Sequence, residues 1–282
     1  MRRLVIILFL FFSFLGCGRG SNDVAEIVKA GQDLFLSGDY RGARAKLDEG
    51  LKISPSDHDL LYYMGMAYNR DYMYDSALFY LKKVDLLYPD EREINIAIYQ
   101  VAPLAGDWKN SITAARNLID LGEAPEKYWN DLAEFNRQLN QNRNAHYYYR
   151  KLLEREPDNI DRYLQVANTA ASLDLVEEAR NVIDSAIDRF GPSDILLGNQ
   201  ATILSFAGKH QQAEDIFRSL LAKDTASVYI KLNLASCLSS QNNTAKKREA
   251  LSLLTDVRAA TEDQPQLDTM IATLKTELNI TD

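Results

Sequence analysis

Few residues in this chain have the types and spacing that chemistry needs. The three histidines, His58, His146 and His210, are scattered, and no His-Glu-x-x-His run sets two imidazoles on one helix face for a metal. Cys17 and Cys237 are the two cysteines, too few for a disulfide framework or a multi-cysteine metal site. Gly208-Lys209 resembles the end of a phosphate loop, but Ile203 stands where the first Gly is required and His210 follows the Lys. Gly-x-Ser-x-Gly is absent. Carboxylate pairs such as Asp90-Glu91 and Glu177-Glu178 fall at helix starts and turns, where acids favour the helix dipole and solvent. No catalytic residue, metal or cofactor is expected, and the chain reads as a non-enzyme.

The elements that would position any site must therefore explain the sequence. Its 282 residues are 46% hydrophobic and 26% charged, a globular composition. The net charge of −8 denies the chain the diffuse cationic surface that nucleic-acid binding uses, so nucleic acid is excluded as a partner.

Met1-Arg2-Arg3 is basic, and Leu4 to Leu15 is apolar apart from Ser13. As a helix that run spans about 18 Å, short of the ~30 Å hydrocarbon core, so it reads as a secretory signal and not a spanning helix. Gly16 and Cys17 complete a segment that resembles the lipobox of bacterial lipoproteins, with Phe14 and Leu15 departing from the usual residues. The resemblance implies a signal peptide over 1–16, acylation (palmitate among the chains) at Cys17 and a tether over 17–23. Because Gly18 follows the Cys, it places the chain in a bacterial cell envelope, on the periplasmic face of the outer membrane.

The body repeats every 34 residues. Gly31, Ala43 and Pro55 recur as Gly65, Ala77 and Pro89, and windows in this register begin at Val24, His58, Arg92, Glu126, Ile160, Asp194 and Val228. Position 20 of the first six holds Ala43, Ala77, Ser111, Ala145, Ala179 and Ala213. In the seventh the expected Ala arrives three residues late as Ala250, which reads as a lengthened turn over Gln241 to Lys246.

This pattern resembles the tetratricopeptide repeat. The resemblance implies an all-α fold: a right-handed superhelix (solenoid) of about seven helix pairs over 24–265. Position 8 is small so that helices approach, and position 24 (Leu47, Leu81, Tyr149, Ile183, Phe217, Leu254) is large. Window three departs, with Tyr99 at the small slot, Ala115 at the large one and Pro103 in its first helix, where Pro kinks or shortens a helix. Residues 266–282, with Leu267, Met270, Ile271, Leu274 and Leu278 on one stripe, read as a capping helix. His210 and Cys237 fall at packing positions.

In the family the first helix of each pair lines a concave groove. Carried over by window position, the groove residues are Gln32, Phe35, Tyr62, Met66, Asn69, Ile96, Gln100, Asn130, Glu134 and Asn168. Tyr62 and Met66 either anchor a bound peptide or fill the array's own interior; the sequence leaves both open. The carboxylate-clamp residues of chaperone-tail receptors are absent, with Val28, Gln32, Tyr62 and Met66 in those slots. The resemblances together imply a membrane-anchored, non-catalytic scaffold or adaptor that binds other envelope proteins or peptides, held to the membrane by its lipid anchor and possessing no cofactor. A surface lipoprotein that binds a glycan or other small ligand in the same groove is the alternative. Nine of the fifteen Tyr lie between Tyr40 and Tyr99, and this cluster is a candidate docking surface on the convex side.

Overall fold

The computed structural model describes residues 17–261 and 264–280, with side chains from residue 23 onward. The signal peptide over 1–16 and the Cys17 side chain lie outside the described residues. Regular structure among the described residues is helical throughout, and the chain divides into two compact units, one up to Tyr128 and the other from Trp129.

The first unit holds three helix pairs: α1 (Cys17–Leu36) with α2 (Tyr40–Ile53), α3 (His58–Arg70) with α4 (Tyr74–Leu87), and α5 (Arg92–Val101) with α6 (Trp108–Asp120). Each helix packs on the next in sequence, and the first helices also pack together, α1 on α3 and α3 on α5. α1 takes in the 17–23 stretch that the sequence reads as a tether. Its length puts residue 17 roughly 30 Å from Leu36.

The second unit holds four pairs: α7 (Trp129–Gln138) with α8 (Asn142–Arg155), α9 (Ile160–Ser172) with α10 (Val176–Phe190), α11 (Asp194–Phe206) with α12 (His210–Lys223), and α13 (Val228–Ser239) with α14 (Thr244–Ala260). A last helix, α15 (Pro265–Glu277), packs on α14. It buries Leu267 and Leu274 and is pinned by Arg258–Asp268 and Lys247–Glu277 ion pairs. Here too first helices meet, α9 on α11 and α11 on α13.

Helix starts follow from capping chemistry. Asp39, Asp57, Asp107, Asn159, Ser193, Ser227 and Asn243 each accept a hydrogen bond from a backbone N–H of the first turn, which otherwise lacks a partner. The repeat's small and large slots meet within each helix pair. A Cβ on Gly31 would lie 2.6 Å from Cδ2 of Leu47, and one on Gly65 would lie 2.9 Å from Cγ of Leu81. Window three inverts the sizes, with half-buried Tyr99 at the Gly slot and buried Ala115 at the Leu slot. Tyr99 meets buried Tyr128 edge-on at 5.2 Å. Pro103 falls just beyond Val101, so it ends α5 early instead of kinking it. At Ser111, which replaces the small Ala, the buried hydroxyl donates to the Asp107 carbonyl oxygen at 2.9 Å.

Window four starts differently. Gly122 at φ +95° breaks the chain, a 3-10 turn covers Pro125–Lys127, and α7 begins at Trp129. Within the first unit Glu123 ties the 3-10 turn to the start of α5, accepting hydrogen bonds from Arg92, Lys127 and the Tyr128 hydroxyl. In the seventh window the inserted residues divide between a turn at 240–243 and the start of α14.

One turn slot recurs with a left-handed backbone. Gly38, Gly106 and Gly208, Asn140 and Asp174 all have positive φ at the bend between the two helices of a pair, as does Tyr72 at φ +61°. Gly, Asn and Asp tolerate that region, whereas a Tyr there is strained. Its side chain is 78% exposed and meets Tyr74 edge-on at 6.3 Å.

The tyrosines of 40–99 do not form one surface. Tyr68 and Tyr80 stack at 5.5 Å under the Arg44 guanidinium, the Tyr88 hydroxyl donates to the Ser56 carbonyl oxygen, and Tyr62 and Tyr63 line a cleft on the first helices. His210 and Cys237 take packing positions: Cys237 is buried, burial pushes its thiol pKa up, and its Sγ approaches the His210 carbonyl oxygen at 3.4 Å.

Candidate functional site

Each unit carries a cleft where three successive first helices meet. In the first unit it lies across α1, α3 and α5, has a volume of about 310 Å³, and is lined by Gln32, His58, Asp59, Tyr62, Tyr63, Glu91, Glu93 and Ile94. In the second it involves α9, α11 and α13, has a volume of about 480 Å³, and includes Asn168, Asp194, Ile195, Asn199, Tyr229 and Ile230.

The two clefts are built from the same window positions. Gln32 and Asn168, His58 and Asp194, Asp59 and Ile195, Tyr63 and Asn199, Glu91 and Ser227, Glu93 and Tyr229, and Ile94 and Ile230 are each separated by four repeat lengths. A side chain's place in the window therefore fixes its place on the cleft wall, because each first helix presents the same face to its neighbour.

The walls differ in chemistry. In the first unit, His58 Nδ1 lies 2.8 Å from Asp59 Oδ1 and its Nε2 lies 2.8 Å from Glu91 Oε2. Glu91 stands at the N-cap of α5 without capping it, because its carboxylate turns to His58. Partial burial opposes charge on the His58 ring, but the hydrogen bonds to Asp59 and Glu91 prevail and raise its pKa. Tyr62 stacks on His58 with ring centroids 6.3 Å apart and meets Tyr63 edge-on at 5.3 Å. Burial pushes the Tyr62 hydroxyl pKa up, with Tyr63 and the Glu93 carboxylate adding to it. In the second unit the exposed apolar groups Ile195 and Tyr229 stand where the first has acids, and Asp194 is paired with Lys223 at 2.7 Å.

The residues expected on the groove separate accordingly. Gln32 and Tyr62 lie together in the first cleft, and Asn168 lies in the second. Phe35 is half-buried against Tyr40 and Tyr63, and Met66 packs against the first unit's core. Asn69 and Ile96 are half-buried, and Gln100 is exposed near the end of α5. Asn130 accepts a hydrogen bond from Arg162, while the Glu134 carboxylate is occupied by Arg137, Gln138 and the Tyr149 hydroxyl. Sequence reasoning missed His58, Asp59, Glu91, Glu93, Ile195 and Tyr229. The signal was present in the repeat itself, since these residues occupy window positions 1, 2 and 34.

A wider cleft of about 690 Å³ lies on the second helices of the first unit, between α4 and α6, where Phe79 and Leu86 are exposed beside Lys82, Lys83, Asp75 and Asp85. Among the described residues no group of three or more His, Cys, Asp and Glu side chains is placed to hold a metal, and no helix is long and apolar enough to cross a membrane.

No protein-family model matches the sequence, and no curated protein matches it. Solved structures do. A tetratricopeptide repeat protein from Parabacteroides merdae aligns at 14% identity over 91% of this chain and 99% of that one, with a TM-score of 0.50. The human IFIT1 dimer with m7Gppp-AAAA aligns at 15% identity over 90% of this chain and 62% of that one, also with a TM-score of 0.50. At such identities the likeness speaks for the fold alone. Together with the helix pairs and the 34-residue register, it establishes that this chain has the tetratricopeptide-repeat fold.

Proposed function

We propose that the chain is a non-catalytic scaffold that binds segments of other proteins on the first-helix faces of its two units, and that acylated Cys17 anchors it to a bacterial envelope membrane. The observation that carries the binding part is the pair of equivalent clefts. Each is open, rests on a buried core and presents aromatic or apolar side chains beside polar ones, which is how a peptide gains both affinity and register. The anchoring part rests on the order of basic start, apolar run, Gly16 and Cys17. A lipid anchor would raise the effective concentration of a partner at the membrane, which favours an adaptor in an envelope assembly, on the periplasmic face of the outer membrane.

The test is site-specific photo-crosslinking in the native cells, with the photoreactive residue at Tyr62 or Ile195, and at exposed Tyr147 on the second helix α8 as the reference. A discrete protein product from the two cleft positions and none from Tyr147 is expected. Equal patterns from all three positions would overturn the assignment of the clefts. Incorporation of labelled palmitate, lost in Cys17→Ser, tests the anchor separately.

A further inference from the structure

The first unit's cleft differs from its counterpart in a way that points to what it selects. Three of its wall positions hold Asp59, Glu91 and Glu93, while the second unit has Ile195, Ser227 and Tyr229 in the same slots. The fold supplies both clefts from one template, so the acids are not required by the architecture. They are cancelled only in part, because the one imidazole serves Asp59 and Glu91 and does not reach Glu93. Among the described residues lining the cleft, His58 is the only basic side chain, and each of its bonds engages one oxygen of its carboxylate. In the second cleft Asp194 already has Lys223 beside it.

Aromatic rings complete the wall. Tyr62 and Tyr63 present rings in the same cleft as Glu93, close enough for that carboxylate to raise the Tyr62 pKa. A ring face favours a cation, and a planar guanidinium can stack on it while its N–H fork meets a carboxylate. An ammonium is a compact, strongly hydrated point charge and gains less from stacking.

We infer that the cleft of α1, α3 and α5 is an arginine-recognising subsite, in which a guanidinium of a partner segment stacks on the Tyr62–Tyr63 wall and binds the Asp59 and Glu93 carboxylates. This rests on the peptide-scaffold reading and names the side chain that its first unit selects. The second unit's cleft, with Ile195 and Tyr229 in the matching slots, has no such preference.

The test uses the full chain against immobilised dodecapeptides in pairs, one with a central arginine and its twin with citrulline, which keeps the shape and removes the charge. Binding is read at about 0.15 M salt, where exposed charges beyond about 8 Å are screened. Among peptides that bind, the arginine member should be held about tenfold more tightly, the size of one charge-assisted hydrogen bond. The Asp59→Asn/Glu93→Gln variant should bring the pair to near equality and leave the citrulline peptide's affinity unchanged. Both side chains are exposed, so helicity at 222 nm should be retained. Asp120→Asn/Asp188→Asn removes the same charge from exposed sites outside the cleft and should preserve the preference. Equal binding of the twins by the native chain would overturn the subsite and leave the scaffold reading standing. An equal loss in the Asp120/Asp188 variant would replace the subsite by general acidity, and no peptide bound at all would overturn both readings.

Discussion

Tyr72 is the residue at which the fold's demand and the sequence's choice conflict most openly. Its slot requires φ near +60°, and its equivalents are Gly, Asn or Asp. A left-handed L-residue costs roughly 1–2 kcal/mol, which Asn offsets in part by local hydrogen bonding. The ring offers little in return, because it is 78% exposed and its contact with Tyr74 is edge-on at 6.3 Å. Setting about 0.5 kcal/mol for that contact against the part of the strain relieved leaves Tyr72→Asn more stable by up to about 1 kcal/mol. Tyr72→Gly removes the strain fully but adds backbone freedom to the unfolded chain, worth about 0.5–1 kcal/mol, so its gain is smaller. Trp108 lies in the first unit and Trp129 begins the second, so a Trp129→Phe background lets indole fluorescence report the first unit alone. With a urea slope of about 2 kcal/mol per molar, the Asn variant should raise the midpoint by up to about 0.5 M. A midpoint lowered in both variants would show that the ring's contacts outweigh the backbone strain, and the reasoning would fail.

Gly65→Val should act in the opposite direction, because the new Cβ would lie 2.9 Å from Leu81 Cγ and 3.2 Å from the Ala77 carbonyl oxygen, with Leu81 fully buried. The overpacking should cost about 1–3 kcal/mol in the same urea titration, and an unchanged midpoint would mean that the helices separate freely. Acid should unfold the first unit partly through Glu123, whose pKa is lowered from 4.5 to about 2 by hydrogen bonds from Lys127, Tyr128 and Arg92. The folded pKa lies below the unfolded one, so its stabilisation is complete above pH 4.5 and is lost as pH falls toward 2. Glu123→Gln should flatten the pH dependence in that window, and an unaltered slope would assign the acid sensitivity to other carboxylates.

The helix pairs were legible because the repeat constrains small and large residues at once. Gly31 and Gly65 as small slots and Leu47 and Leu81 as large ones can be read from their spacing, but that each large residue closes on the small one of its own pair is seen only in the structure. The break before α7 was less legible, since Glu126 keeps the register that Gly122 and Pro125 interrupt in the backbone. Site residues were legible only by position. Gln32, Tyr62 and Asn168 reach the clefts, but window position does not reveal that Met66 is held by the core or that Glu134 is bound by Arg137 and Tyr149. Those outcomes depend on side chains from other helices, and a single helix's pattern carries no record of them. His58 and Glu91 show the converse. They are 33 positions apart and look like ordinary helix-start residues until α3 and α5 are set side by side.

The inverted sizes of window three bear on how such an array can grow or shrink. Repeats that share a register look interchangeable, and recombination between copies conserves the register wherever it occurs. Packing imposes a stricter rule. A crossover in the turn between the two helices of a pair could join α5 to α4, setting Tyr99 against Leu81, or join α3 to α6, leaving a void between Gly65 and Ala115. A crossover between pairs keeps each large residue with its small partner. The heritable unit of this array is therefore the intact helix pair, and its permitted break points are the turns that follow each second helix.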